Sequence, residues 1–247
     1  MKKKRLRHKT TVAIIPSAGK GKRFGGKKNY LSLAGTPVLA RTIETLEDCP
    51  FIEAIVLVVR KEDVEYVENS IVKKFNLKKV IAVVKGGNER QDSVAAGILA
   101  AGSRFDFVLV HDGARPLVTR EILEHAIKAA YRHGAAIAAM PPKDTIKEIR
   151  GKFIKKTIPR DTLVSVQTPQ VFKYGILKRA FEAAAKDGFR STDEAALVER
   201  LGVKIIPTPG SYENIKITTK EDLAIAELIL KTRQGLSSPL KIAGTGS

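Results

Sequence analysis

Five short apolar runs, each followed by a segment of helical periodicity, constrain this chain more than any other feature. The runs are Val12 to Ile15, Ile52 to Val59, Val80 to Val84, Phe107 to Val110 and Ala135 to Met140. Their length and β-branched content mark them as buried strands. Between them apolar residues recur at helical spacing: Val38, Leu39, Ile43 and Leu46, after Pro37; then Val64, Val67, Ile71 and Phe75. A helix is predicted over Asp92 to Ala101. Another is capped by Thr119, carries Ile122, Leu123, Ala126, Ile127 and Ala130, and is ended by Gly134. This order predicts an α/β fold, a mainly parallel sheet covered by helices on both faces. Functional groups then gather at the carboxyl ends of the strands. Three loops meet that condition: Ser17 to Lys28, Gly86 to Ser93 and His111 to Pro116.

The first of these loops joins Gly19, Gly21, Gly25 and Gly26 with Lys20, Lys22, Arg23, Lys27 and Lys28. Glycine permits close backbone approach and the cations supply charge, so a strand ending in this loop suits nucleotide phosphates. Two phosphate motifs nearly fit. From Gly21 the spacing is that of a P-loop, but Lys28 stands where a magnesium-binding Ser or Thr belongs. From Gly19 it starts as a dinucleotide fingerprint, but Phe24 replaces the third glycine and Arg60 and Lys61 close the second strand without an acid. Phosphate binding outranks a merely solvated basic loop because the segment directly follows the first core strand.

At 247 residues the chain has ample length for a core, and no apolar run is long enough to span a bilayer. Its net charge of +18 attracts anions of every kind. Tryptophan is absent, aromatics are 6%, and the lysines are spread along the chain, so neither nucleic acid nor membrane is the expected partner. Residues 1–10 read as a basic, solvated tail without the apolar stretch of a signal peptide. The single cysteine, Cys49, leaves no intrachain disulfide and is compatible with a reducing, cytoplasmic compartment.

The alternation breaks after Met140. Pro141 and Pro142 stiffen the chain, and two β-like runs, Thr145 to Ile149 and Phe153 to Ile158, surround Gly151. Residues 142–166 read as a projecting β-arm that either meets a partner subunit or is a surface excursion. Gln167 to Gln170 reads as a polar turn before a helix from Lys173 to Lys186. Thr192-Asp193-Glu194 starts a short helix, Lys204 to Ile206 and Glu213 to Thr218 read as strands, and a last helix begins near Lys220. The expected organisation is one domain over residues 11–232 and a disordered tail over 233–247.

The loops can be matched to a family. Pro16-Ser17-Ala18-Gly19-Lys20-Gly21-Lys22-Arg23-Phe24 resembles the P-A-A-G-x-G-x-R-M loop of sugar and polyol nucleotidyltransferases, and Lys28-Asn29-Tyr30-Leu31 their K-Q-Y/F-L. Gly86 to Ser93 resembles G-G-x-x-R-x-x-S, and His111 to Pro116 resembles H-D-x-A-R-P. Ile158-Pro159-Arg160, Gln167 to Gln170, Thr192-Asp193-Glu194 and Glu213-Asn214-Ile215-Lys216 complete the series in order. The whole, over Val12 to Leu230, is similar to the 2-C-methyl-D-erythritol 4-phosphate cytidylyltransferases of the non-mevalonate isoprenoid pathway. Ribitol-5-phosphate cytidylyltransferase is the alternative and shares the first three loops.

The resemblance implies a Rossmann-like nucleotidyltransferase fold and attack of a polyol phosphate on the α-phosphorus of CTP. A phosphate monoester is largely dianionic at neutral pH, its second pKa being about 6. No catalytic base is then needed, and the demand is for cations. By resemblance, Arg23, Lys28, Arg160 and Lys216 are catalytic. Ser17, Ala18, Gly19, Gly21, Gly87, Asn88, Arg90, Ser93 and Asp112 bind nucleotide. Arg115, Thr145, Arg160, Thr168, Thr192 and Lys216 bind the acceptor. Magnesium is the implied cofactor, held largely through CTP, with Asp112 and Glu213 as candidate carboxylates. A homodimer joined by the β-arm is implied, with Arg160 reaching a partner's site. Asn88 replaces the family's Asp, Asn29 its Gln, Lys27 its Pro and Glu213 its Asp. His111 reads as a packed strand-end residue, since a metal site would want a second His or Cys nearby.

Overall fold

A computed structural model describes residues 9–19 and 28–235. In chain order these form β1 (Thr11–Pro16), β2 (Ser32–Leu33), β3 (Thr36–Pro37), α1 (Val38–Glu47), β4 (Ala54–Val59), α2 (Val64–Val67), β5 (Val80–Lys85), α3 (Arg90–Ala101), β6 (Phe107–Val110) and α4 (Arg120–His133). Then come β7 (Ala135–Met140), β8 (Ile146–Arg150), β9 (Phe153–Ile158), β10 (Ser165–Lys173), α5 (Tyr174–Lys186), α6 (Glu194–Glu199), β11 (Ile206–Pro209) and α7 (Lys220–Arg233). The helix expected over Lys61 to Phe75 is irregular: a 3-10 turn precedes α2 and a π-helical turn, Glu68–Lys73, follows it.

Seven strands make one sheet in the order β11-β7-β10-β6-β1-β4-β5. All neighbouring pairs are parallel except those of β10, which runs antiparallel between β6 and β7. Alternate residues of β1 supply two cores, as the period of a strand requires. Ala13 and Ile15 join Leu39 and Ile43 of α1 and Ile122, Leu123 and Ile127 of α4. Val12 and Ile14 join Val94 of α3, Leu177 of α5 and Leu197 of α6 on the other face. Val12, Ile14 and Ile15 are fully buried, each contributing about 1.5–3 kcal/mol of transfer free energy. A smaller core of Leu33, Val38, Leu117, Ile217, Ala226 and Leu230 seats α7.

Three expectations are corrected. The polar stretch Gln167 to Gln170 is no turn but the middle of β10, bulged between Val166 and Gln170 and holding a cis Thr168–Pro169 peptide. The strand expected at Lys204 to Ile206 is β11, two residues later. Residues 213–218 form no strand; they are an extended strap whose Ile217 amide donates to the Ala114 carbonyl at 2.8 Å. The expected basic tail lies outside the described residues up to position 8, and the expected disordered tail does so from 236.

Candidate functional site

The chain runs from β1 outward to β4 and β5, then returns to place β6 on the other side of β1. The strand order reverses between β1 and β6, and the crevice at the carboxyl ends there is where doubly wound sheets bind ligands. The loops that follow these two strands meet closely. A Cβ added to Gly113 would collide with the Ser17 hydroxyl, and one added to Gly86 would lie 2.5 Å from the Ala18 Cβ and 2.6 Å from the Ser93 Oγ. Glycine is therefore needed at both positions for the backbones to approach. The Ser17 amide donates to the Val58 carbonyl at 2.6 Å, and the Asn29 amide donates to the Ser17 carbonyl at 3.2 Å. These bonds tie Ser17 to β4 and Asn29 to Ser17, so the two flanks of the glycine loop are held together. The Ser17 hydroxyl is buried and has no protein partner among the described residues.

Asp112 is the centre of charge. It follows β6 and is only 7% exposed. The Lys216 ammonium lies 2.7 Å from its Oδ2, the Arg90 Nε 3.3 Å from its Oδ1, and the Arg115 Nε 3.8 Å from its Oδ2. Burial alone would raise its pKa, but Lys216, then Arg90 and Arg115, hold the carboxyl well below the usual carboxylate range. Arg90 is itself gripped by Glu194, Nη1 at 2.6 Å and Nη2 at 2.9 Å. Burial opposes the charge on Arg90, yet Glu194 and Asp112 keep the guanidinium above its ordinary value. Burial also pushes the Glu194 carboxyl up, against the pull of Arg90.

A hydrogen-bonded frame holds this cluster. The Asp112 amide donates to the Thr168 hydroxyl at 3.1 Å, and that hydroxyl lies 3.1 Å from His111 Nδ1. His111 Nε2 lies 3.3 Å from the Arg115 carbonyl. The set is satisfied if Thr168 donates to Nδ1 and Nε2–H donates to the carbonyl, which fixes a neutral tautomer. Burial lowers the His111 pKa to about 4. His111 is fully buried, in keeping with a packed strand-end residue. Arg115 Nη1 donates to the Asn214 carbonyl at 2.6 Å, and the Asn214 side chain donates to Gln167 and to the Thr168 carbonyl. The strap bearing Lys216 is thereby tied to β10.

Among the expected site residues, Arg90, Asp112, Arg115, Thr168, Thr192 and Lys216 line one cavity of about 250 Å³. Ser17, Ala18 and Ser93 stand where the neighbouring loops meet, Gly19 opens the glycine loop, and Gly87 and Asn88 are exposed on the loop after β5. Thr145 and Arg160 are not brought to the cavity. Both are exposed on the arm, where Arg160 donates to the Lys143 carbonyl at 3.0 Å. Glu213 points away and pairs with Arg233 at 2.8 Å. Gly21 and Arg23 lie outside the described residues, as does the side chain of Lys28. Sequence reasoning gave no role to Glu194, Gln167, Gln170 or Asp193. No local pattern pairs Glu194 with Arg90 across 104 positions.

A glycine- and lysine-rich sequence after β1 and a cavity lined by Arg90, Arg115 and Lys216 at the switch point of a doubly wound sheet define a nucleotide-handling α/β protein. Comparison with known proteins makes this specific. The family model described as 2-C-methyl-D-erythritol 4-phosphate cytidylyltransferase matches residues 11–232. A relative of that name from Geotalea uraniireducens is 43% identical over 225 residues, 90% of this chain and 97% of its own length. Another, from Alkaliphilus oremlandii, is 45% identical over 227 residues, 91% of this chain and 96% of its own. The crystal structure of 4-diphosphocytidyl-2C-methyl-D-erythritol synthase from Anaerococcus prevotii superposes with a TM-score of 0.81 at 32% identity, covering 91% of this chain and 99% of that one. The Thermus thermophilus cytidylyltransferase gives 0.73 at 31% identity, covering 90% and 99%. The chain belongs to the 2-C-methyl-D-erythritol 4-phosphate cytidylyltransferase family, a family of nucleotidyltransferases.

Proposed function

We infer that the protein transfers CMP from CTP to 2-C-methyl-D-erythritol 4-phosphate, in isoprenoid precursor biosynthesis. A phosphate oxygen of the acceptor bonds to the α-phosphorus, the bond from that phosphorus to the bridging oxygen breaks, and pyrophosphate leaves. The product is 4-diphosphocytidyl-2-C-methyl-D-erythritol. The observation that carries this reading is the cavity wall where Lys216, Arg90 and Arg115 converge on Asp112, whose neighbour Gly113 packs against Ser17 after β1. Such a wall binds a phosphorylated acceptor and supplies no general base, which a dianionic phosphate does not require. Lys216 and Arg115 are the groups we assign to the acceptor phosphate. The Ser17 hydroxyl, without a partner among the described residues, and the loop from Gly86 to Ser93 are assigned to the nucleotide, with Arg23 and Lys28 on the charge that develops at the α-phosphorus.

Magnesium belongs to the same proposal. Asp112 is a buried carboxylate on the cavity wall whose oxygens pair with Lys216 and Arg90; with those cations turned to phosphates it suits an ion that keeps most of its ligands on phosphate oxygens. Asp112 would hold it, and the ion would neutralise triphosphate charge; Glu213, paired with Arg233, is not assigned to it. A dimer is proposed through the arm, because a two-stranded ribbon exposing Ile149, Phe153 and Ile154 is marginally stable alone in water. Arg160 and Thr145 would then serve a partner's cavity. Among the described residues no helix is long and apolar enough to cross a membrane. A cytoplasmic location is part of the proposal.

The test is pyrophosphate release over a panel of nucleotides and polyol phosphates. Release that requires both CTP and methylerythritol phosphate is expected. A strong preference for ribitol 5-phosphate would overturn the acceptor. Chelation should abolish release and added magnesium restore it; full activity in chelator would remove the metal from the proposal.

A further inference from the structure

Four consecutive side chains at the start of α3 reach across to the segment 189–194. The Glu89 carboxylate lies 3.6 Å from the Arg190 guanidinium, and Asp92 also pairs with Arg190. Gln91 accepts from the Ser191 amide at 3.0 Å and donates to the Phe189 carbonyl at 3.2 Å. Between these, Arg90 makes its two-pronged bond to Glu194. The Arg190 links are on the surface, with an Arg190 side chain 56% exposed, where solvent screens them. The Glu194 side chain is 1% exposed. A planar guanidinium locked to a buried carboxylate admits only one geometry.

The two segments face different parts of the site. The loop that opens α3 packs on Ala18 of the glycine loop. Thr192 and Asp193 line the cavity with Lys216. Asp193 is in turn held by Gln170 of β10 at 2.9 Å. Glu194 is not on the cavity wall, while Arg90 is and also touches Asp112. The Glu194 carboxylate therefore reaches the cavity through Arg90. We propose that Glu194 is a positioning residue, and that the buried Arg90–Glu194 pair couples the nucleotide loop to the acceptor cavity so that each substrate tightens binding of the other. This rests on the assignment of the two half-sites made above.

Coupling of this kind is reciprocal and commonly 5- to 150-fold. It is measured by calorimetry with the α,β-methylene analogue of CTP, whose bridging carbon blocks transfer, with and without saturating methylerythritol phosphate. The wild-type protein should bind the analogue at least about five-fold more tightly when the acceptor is present. Glu194→Gln, which keeps the shape and removes the charge, should bring that ratio to about one. Arg90→Lys, which keeps the charge and loses the fork, should do the same, and the double variant should lose nothing further. Arg190→Ala, which cuts only the surface links, should keep the wild-type ratio. Because the readout is a ratio, a loss of stability or of one ligand's affinity does not imitate it. Should Glu194→Gln fail to fold, Arg90→Lys carries the same expectation. A wild-type ratio of one, or an undiminished ratio in Glu194→Gln or Arg90→Lys, overturns the coupling. A wild-type protein that binds neither ligand overturns the proposed function instead.

Discussion

Asp112 shows how much of this site rests on single charges. Three cations within 4 Å hold it ionised, and it holds them in return. Replacing Lys216 by Ala should lower kcat/KM for the acceptor by about 10²–10³, the scale of losing one preorganised charged donor. A rate within about three-fold of wild type would remove Lys216 from the acceptor site. His111 contributes differently. Its folded pKa of about 4 lies below the ordinary 6.5, so between those values the unfolded chain takes up a proton that the folded one refuses. Stability from this group is complete above pH 6.5 and is lost as pH falls toward 4, by on the order of 3 kcal/mol. Urea midpoints should fall over that window in the wild type and much less in His111→Gln. Parallel pH profiles for the two would show that His111 is not the titrating group.

At the scale of elements, helix and sheet are joined through missing side chains. A Cβ on Gly97 of α3 would collide with Ile14 Cγ2 and lie 2.9 Å from Val58 Cγ2, so the helix sits directly on β1 and β4. Gly97→Ala should cost about 1–3 kcal/mol as α3 is pushed off the sheet, read as a lower urea midpoint. An unchanged midpoint would mean that the contact yields freely. The five apolar runs and their helices were legible because strand and helix periods differ so plainly. β10 was not. Its Thr168 and Gln170 are buried, against the habit of polar residues in strands, and only distant groups make that tolerable: Asp112 and His111 for Thr168, Asp193 and Ala195 for Gln170. Nothing nearby in sequence announces those partners. The strap at 213–218 looked like a strand for the opposite reason. Its apolar residues Ile215 and Ile217 pack against α7 and its neighbours, not into a sheet.

For the whole molecule, the arm is the segment that exposes three large apolar side chains within six residues: Ile149 is 70% exposed, Phe153 79% and Ile154 66%. If the protein dimerises through the arm as proposed, replacing Ile149 and Phe153 by Asp should yield a monomer by sedimentation and lower activity, because Arg160 would no longer reach the partner's cavity. A protein that sediments as a monomer before the change would remove the arm from the interface. The site was legible in part. The loops after β1, β5 and β6 could be placed from sequence, since parallel strands must deliver their ends to one edge. The charge network could not, because it is assembled from β6, α3, α6 and the strap, up to 126 positions apart in the case of Arg90 and Lys216.

The position of β10 also has a consequence for how the protein is made. Synthesis runs from the N-terminus, so β6 and β7 exist before the strand that belongs between them. Until the ribosome has released residues 165–173, the facing edges of Phe107–Val110 and Ala135–Met140 lack the strand that joins them. Unpaired apolar edges recruit strands from other chains. A nascent chain arrested near position 160 would therefore be a substrate for chaperones, whereas a few dozen residues later the same polypeptide can seal its own sheet.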